Sequence, residues 1–400
     1  MANYADDCQI KSNSPETACT WVESAAALDA LRETLARQSA IAVDTEADSL
    51  YSYFEKVCLV QFSTGEADYI VDPFVLSATA DGLTPLASIF ADAHIEKVFH
   101  AAEYDILCLK RDYRFTFANV FDTMIAARIL GWKNVGLGNT LQERFRITLN
   151  KKMQRADWGH RPLSAEQMAY AREDTHYLLR LRDLQREELR RQERLEEARE
   201  EFERLTRVEP SPRRFDPDAY WHITGTRDLD PTRLGVLREL YRFRDAQARK
   251  EDRPPFKVIS DATLLRLTHA RPSSTRALAH LGGVSEFVMR RYGHALLDAV
   301  ARGAAAPQTA RPHPHSRSDT ALDNAARHRL GKLKEWRKKR AEARGVENDV
   351  IVSNDVLFTV ARQNPRTLDA LVAGTNLGPW KTREYGEEIL GVLHGKKKAQ

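Results

Sequence analysis

Cysteine is scarce in this 400-residue chain and scattered: Cys8, Cys19, Cys58 and Cys108 form no C-x-x-C pair. That spacing disfavours both a disulfide scaffold and a structural zinc site. Long apolar runs are missing too. None approaches the roughly 18 residues of a membrane span, and the mean hydropathy is −0.52. The opening Met-Ala-Asn-Tyr-Ala-Asp-Asp has neither the basic nor the apolar stretch of a signal peptide. These absences predict a protein of the cytoplasm that does not engage membranes. Basic residues are sparse at the start, with 5 Lys and Arg against 16 Asp and Glu in the first hundred residues. The total net charge of +4 therefore conceals an acidic beginning of −11 and a basic remainder of +15. Such asymmetry suits a cation-binding pocket at one end and a polyanion-binding surface at the other.

What is present supports several cores. Hydrophobic residues make up 42% of the chain and charged residues 30%, and the length suggests two or three domains. Up to about residue 205 the pattern is α/β. Ser39-Ala-Ile-Ala-Val43 ends in Asp44, and Val57 to Phe62 is joined to Tyr69-Ile-Val71 through Ser-Thr-Gly-Glu, a hairpin signal. Helical patterns at Ala27 to Arg37 and Asp122 to Leu130 accompany these strands, which points to a mixed sheet flanked by helices. Glu187 to Arg207 reads as a long solvated helix stopped by Pro210 and Pro212, so a domain boundary is expected near 210.

Two helical blocks follow. Leu237 to Arg249 matches Leu333 to Arg344, and Val258-Ile-Ser-Asp matches Ile351-Val-Ser-Asn, at separations of about 95 and 93 residues. The expected division is a domain over 1–209 with its core at about 20–190, small all-α helical bundles over 226–304 and 321–396, and a linker rich in Ala, Pro, His and Ser over 305–320.

Three short acidic motifs stand out in the first domain. Asp44-Thr-Glu46 closes an apolar strand, where a period of two puts both carboxylates on one face. They repel unless a cation or proton lies between them, although a surface turn with Asp48 and Ser49 would also accommodate them. His100 and Asp105 bracket a strand-to-helix passage, in which Asp105 could simply favour a helix N-terminus and Glu103 is a rival ligand. Asp122 reads as a helix cap. Tyr170-Ala-Arg-Glu-Asp174 has i, i+4 spacing, so phenol and carboxylate share one helix face, behind an entry capped at Ser164. Oxygen-only ligands favour Mg²⁺ or Mn²⁺ over zinc, and two such ions suit in-line phosphoryl displacement.

These motifs, in this order, resemble the three exonuclease motifs of the DEDD superfamily, with the tyrosine of its DEDDy branch. The lead-in Asp157-Trp158…Arg161-Pro162-Leu163-Ser164 is similar to that of the ribonuclease D family. The helical repeats resemble two helicase-and-RNase-D C-terminal (HRDC) domains. The resemblance implies a ribonuclease H-like α/β exonuclease domain. In it Asp44, Glu46, Asp105 and Asp174 hold two divalent ions, Mg²⁺ or Mn²⁺, Tyr170 orients the attacking water, and His100 either approaches the terminal nucleotide or is a satisfied structural histidine. It implies hydrolysis of RNA with an accessible 3′ end to nucleoside 5′-monophosphates, with transfer RNA precursors as the expected partners. A DNA exonuclease of the Werner-helicase type shares the motifs, and a non-catalytic nucleic-acid scaffold is the non-enzymatic alternative.

The densest basic run, Lys332 to Arg340, offers Lys334, Arg337 and Lys338 as phosphate contacts, and Lys396-Lys-Lys398 closes the chain. A solubilising helix face over buried Leu333 and Trp336 explains the same run.

Overall fold

The computed structural model describes residues 17–78, 81–307 and 322–395. Cys8, the Lys396 to Lys398 triplet and nearly all of the expected 305–320 linker lie outside them. The chain forms two compact units, one of residues 1–46, 57–210 and 322–400, the other of 47–56 and 211–321. The second helical module thus shares a unit with the sheet. Residues 47–56, a loop within the α/β region, group with the first module, which a linear division does not anticipate.

In the first unit, β1 (Ala18–Val22), β2 (Ala40–Ala47), β3 (Val57–Ser63), β4 (Ala67–Val71), β5 (Glu96–Phe99) and β6 (Val120–Asp122) form one sheet in the order β1-β4-β3-β2-β5-β6. β3 and β4 are the expected antiparallel hairpin, while β1 with β4, β2 with β5 and β5 with β6 run parallel. The sheet is therefore mixed. Alternation along β2 sends Ile41 and Val43 into one apolar layer, with Phe62, Phe90 and Phe99. Ala42 goes to the opposite layer with Val98, Phe121 and Phe202. Asp44 and Glu46 share the parity of Ala42, so the strand pattern carries them to that second face.

Helices that flank the sheet include α1 (Ala25–Ala36), α2 (Glu103–Tyr113), α3 (Thr123–Ile129), α4 (Ala165–His176), α5 (Leu178–Arg191) and α6 (Leu195–Thr206). The expected solvated helix over 187–207 is corrected on two counts. It breaks at Gln192 to Arg194, and α6 is an interface rather than a solvated rod. Its acids Glu196, Glu197, Glu200 and Glu201 recur at helical spacing, and each engages the second helical module. That module consists chiefly of α10 (Asn324–Arg344), α11 (Asn354–Gln363) and α12 (Pro379–His394).

Glu197, fully buried, takes both terminal nitrogens of Arg344, which also bonds the Tyr385 hydroxyl at 2.5 Å. Glu200 accepts from the backbone N–H groups of Trp380 at 2.5 Å and Lys381 at 3.2 Å. The cap residue of α12 is Gly378, which has no side chain to satisfy these donors, so Glu200 caps the helix from another domain. Glu201 pairs with Lys381 at 2.5 Å and Glu196 with Arg383 at 2.8 Å, while Arg128 of α3 bonds Asp349. Val350 joins the apolar layer of Phe121 and Phe202.

The second unit packs α7 (Pro231–Lys250) against α9 (Glu286–Ala305), with α8 (Asp261–Ala270) alongside, over Leu237, Leu240, Leu264, Leu267 and Leu296. Gly235 and Gly303 let α7 and α9 meet backbone to backbone, since a Cβ on Gly303 would lie 2.4 Å from the Val236 Cα. The 47–56 loop sits on this unit through Tyr53, whose hydroxyl donates to Asp245 at 2.7 Å.

The two modules repeat in detail. Arg244 donates to the Ile259 carbonyl and Asp261, and Arg337 donates to the Val352 carbonyl at 2.8 Å and Asn354 at 2.9 Å. Both arginines are buried struts of their bundles. This corrects the assignment of Arg337 to phosphate contact: its guanidinium is spent inside the module. Lys334 and Lys338 face outward, and Leu333 is fully buried. Among the described residues no helix is long and apolar enough to cross a membrane.

Candidate active site

Three carboxylates from two distant motifs meet at the end of β2. Asp44, Glu46 and Asp174 offer oxygen atoms that all lie within 4.8 Å of one another. Strand alternation aims the first two, and α4 delivers the third. That helix is fixed at its start by a reciprocal capping box: the Ser164 hydroxyl accepts from the Gln167 N–H at 3.1 Å, and the Gln167 amide oxygen accepts from the Ser164 N–H at 3.0 Å. One turn along, Tyr170 and Asp174 share one helix face, as their i, i+4 spacing places them, and the carboxylate's charge acts on the phenol.

Asp105, in the first turn of α2, stands outside this trio. It is buried and accepts from the Thr45 hydroxyl at 2.5 Å, while its charge still acts on Asp44, Glu46 and Asp174. Thr45 was not singled out from the sequence, yet it lies between the two motif acids and points to the opposite face, where it meets the second motif. Glu103, the rival ligand, is exposed.

Asp122 is the helix cap its position suggests. It accepts from the Met124 and Ile125 N–H groups, and also from Ala101 and Ala102, so one buried carboxylate stitches the loop after β5 to the start of α3. This holds Ala101 at a φ of 65° and sets the approach of α2, and with it Asp105. His100 contacts the Thr123 hydroxyl at 2.8 Å, and that hydroxyl donates its proton to the Phe99 carbonyl at 2.9 Å. Nδ1 of His100 is therefore the donor, which leaves Nε2 as an acceptor. Burial pulls this imidazole down to about 4, so it is neutral at pH 7.

The electrostatics are those of an uncompensated anion cluster. Burial and then the neighbouring carboxylates hold Asp44 and Glu46 well above the ordinary range. Burial is also the main cause that pushes Asp105 and Asp174 up to about 7. Tyr170 is raised by burial and by the surrounding carboxylates, so its phenol stays protonated. Hard oxygen donors that repel one another in a half-buried cluster fit a divalent cation. Among the described residues no other set of three His, Cys, Asp or Glu side chains converges in this way.

Comparison with known proteins places both parts of the chain in known families. A 3′-5′ exonuclease family model matches residues 19–190, and an HRDC domain model matches 233–300 and 326–393. The crystal structure of the catalytic core of RRP6 from Trypanosoma brucei is 32% identical with a TM-score of 0.65, covering 74% of this chain and 83% of that one. The chain belongs to the ribonuclease D family of 3′-5′ exonucleases. Ribonuclease D of Gluconacetobacter diazotrophicus is 29% identical over 91% of this chain and 90% of its own length. Exosome complex exonuclease RRP6 of Saccharomyces cerevisiae is 34% identical over 67% of this chain. The chain spans only 38% of that yeast protein, and 42% of the Caenorhabditis elegans exosome component 10 homologue.

Proposed function

We propose that this ribonuclease D family member is a 3′→5′ exoribonuclease that removes nucleoside 5′-monophosphates one at a time, with transfer RNA precursors and other stable RNAs as its substrates. The observation that carries the reading is the convergence of Asp44, Glu46 and Asp174 beside the Tyr170 phenol. Asp44, Glu46, Asp105 and Asp174 would hold two divalent ions, Mg²⁺ or Mn²⁺. Such ions, when bound, lower the pKa of a water and offset the charge that grows on the phosphate.

The chain's own groups then divide the work. Tyr170 keeps its proton, so it positions the attacking water by hydrogen bonding and does not act as a base. The Asp174 carboxylate lies one turn from the phenol on the same face of α4. His100, neutral and with Nε2 free to accept, suits a hydroxyl of the terminal ribose. Thr45 keeps Asp105 in one orientation. Lys334 and Lys338, exposed on α10, remain the candidates for phosphate contact in the second module.

The test is an RNA with a stem and a 3′ overhang, labelled at its 5′ end, beside a matched DNA. Stepwise shortening from the 3′ end that releases mononucleotides, needs Mg²⁺ or Mn²⁺, prefers RNA and pauses at the stem supports the proposal. Internal cleavage, shortening from the 5′ end or preference for DNA rejects it.

A further inference from the structure

Helix α4 carries both Tyr170 and Asp174, and two buried acids at opposite ends of β4 hold it by separate means. At the start of β4, Asp68 takes Arg172 Nε at 2.7 Å and His176 Nδ1 at 3.0 Å, while the Ser63 and Thr175 hydroxyls bond at 2.7 Å. These contacts fix the half of the helix that presents Asp174. Just past the end of β4, Asp72 is 1% exposed and receives Arg161 twice, from Nε at 2.7 Å and from Nη2 at 3.1 Å.

The remaining Arg161 donors reach the Trp158 and His160 carbonyls, at 2.7 and 2.9 Å, and the Cys58 carbonyl of β3 at 2.9 Å. All five N–H groups of the guanidinium are committed in one fork. The segment so tied is the one that holds Trp158, a ring 2% exposed that packs on Cys58, Leu59 and Ile70, with its centroid 5.9 Å from that of Tyr170.

We infer that the Asp72–Arg161 pair is a positioning device for the water-orienting tyrosine: it seats Trp158, and Trp158 is the wall that sets where the Tyr170 phenol points. The inference rests on the role proposed above for Tyr170. Its physical basis is that a close-packed ring cannot tilt without moving its neighbour, and that a displacement of about 1 Å in a reacting group costs about 100-fold in rate. Lysine at 161 keeps the charge but not the planar fork, so it cannot hold the carboxylate and three carbonyls together.

The test is a double-mutant cycle on a short single-stranded RNA, with kcat, KM and the half-saturating Mg²⁺ concentration measured for wild type, Arg161→Lys, Tyr170→Phe and the double variant. Arg161→Lys is expected to lower kcat by about 10- to 100-fold while KM and the Mg²⁺ midpoint stay within about twofold. In the Tyr170→Phe background the same change should cost less than about threefold, because the group it positions is gone. An equal loss in both backgrounds, or a Mg²⁺ midpoint that shifts with kcat, overturns the inference. Trp158→Phe runs the same cycle from the other side of the contact and decides the matter if Arg161→Lys does not fold. Absence of any metal-dependent 3′ activity in the wild-type protein would refute the proposed function instead, a distinct outcome.

Discussion

Asp174→Asn tests the electrostatic reading of the site without any substrate. The native carboxyl is pushed from 3.8 up to about 7, chiefly by burial and then by Glu173 and Asp105. A group that binds its proton more tightly in the folded state stabilises the fold below its unfolded pKa, and that stabilisation is lost as pH climbs through the folded value. Between pH 4 and 7 the cation-free protein should therefore weaken. About three units at 1.36 kcal/mol each set a ceiling of about 4 kcal/mol at pH 8. Asparagine cannot ionise and so removes that penalty. The gain expected at pH 8 is up to about 4 kcal/mol, with roughly 2–4 °C in melting temperature for each kcal/mol. At pH 4 the advantage should vanish, because the native aspartic acid is then protonated. Thermal melts in chelator across pH 4–8 provide the measurement. A variant no more stable than wild type at pH 8, or a difference that ignores pH, would refute the reasoning.

Tyr170→Phe should lower the turnover of a short RNA by roughly 100-fold while Mg²⁺-induced stabilisation persists, as shown by single-turnover assays and melts in parallel. Glu197→Ala strands Arg344 in the interface between α6 and the second module, and should cost about 3–5 kcal/mol, read from denaturation or from earlier proteolysis of that module. Arg337→Ala and Arg244→Ala should each destabilise their own bundle by about 1–3 kcal/mol, by leaving the Val352 and Ile259 carbonyls without a donor. Replacing Lys334 and Lys338 with Glu should instead leave the melt unchanged. It should weaken RNA binding and lessen its salt dependence by about 0.7 in logarithmic slope for each lost phosphate contact on a single strand, measured by titration at several salt concentrations.

The strand that carries Asp44 and Glu46, the β3–β4 hairpin and the capped helix carrying Tyr170 were legible because alternation, turn residues and helix caps are local signals. The acidic trio was legible too, since its members sit at strand and helix spacings that set their directions. What was not legible depends on partners remote in sequence. The acids of α6 look like a solvated face until α10 and α12 arrive some 150 to 180 residues later, as in Arg344 to Glu197 and Trp380 to Glu200. Thr45 looks like filler between two acids because its partner is 60 residues away. Arg337 was misassigned because charge counting treats a basic run as one surface. Its match to Arg244 in the 93-residue register of Val258 and Ile351 was the available signal, since a helix strut buried in one bundle is buried in its duplicate.

The central claim is that Asp44, Glu46 and Asp174 form a divalent-metal site for hydrolysis at RNA 3′ ends. It is tested most directly by following mononucleotide release from the 3′ end of one RNA by chelator-treated wild type and by Asp44→Asn, before and after Mg²⁺ or Mn²⁺ is restored. The account predicts no release from either protein in chelator, and release on metal addition by the wild type alone, with Asp44→Asn folded and inert. Release by the wild type in chelator, or equal release by Asp44→Asn once metal is present, would contradict it.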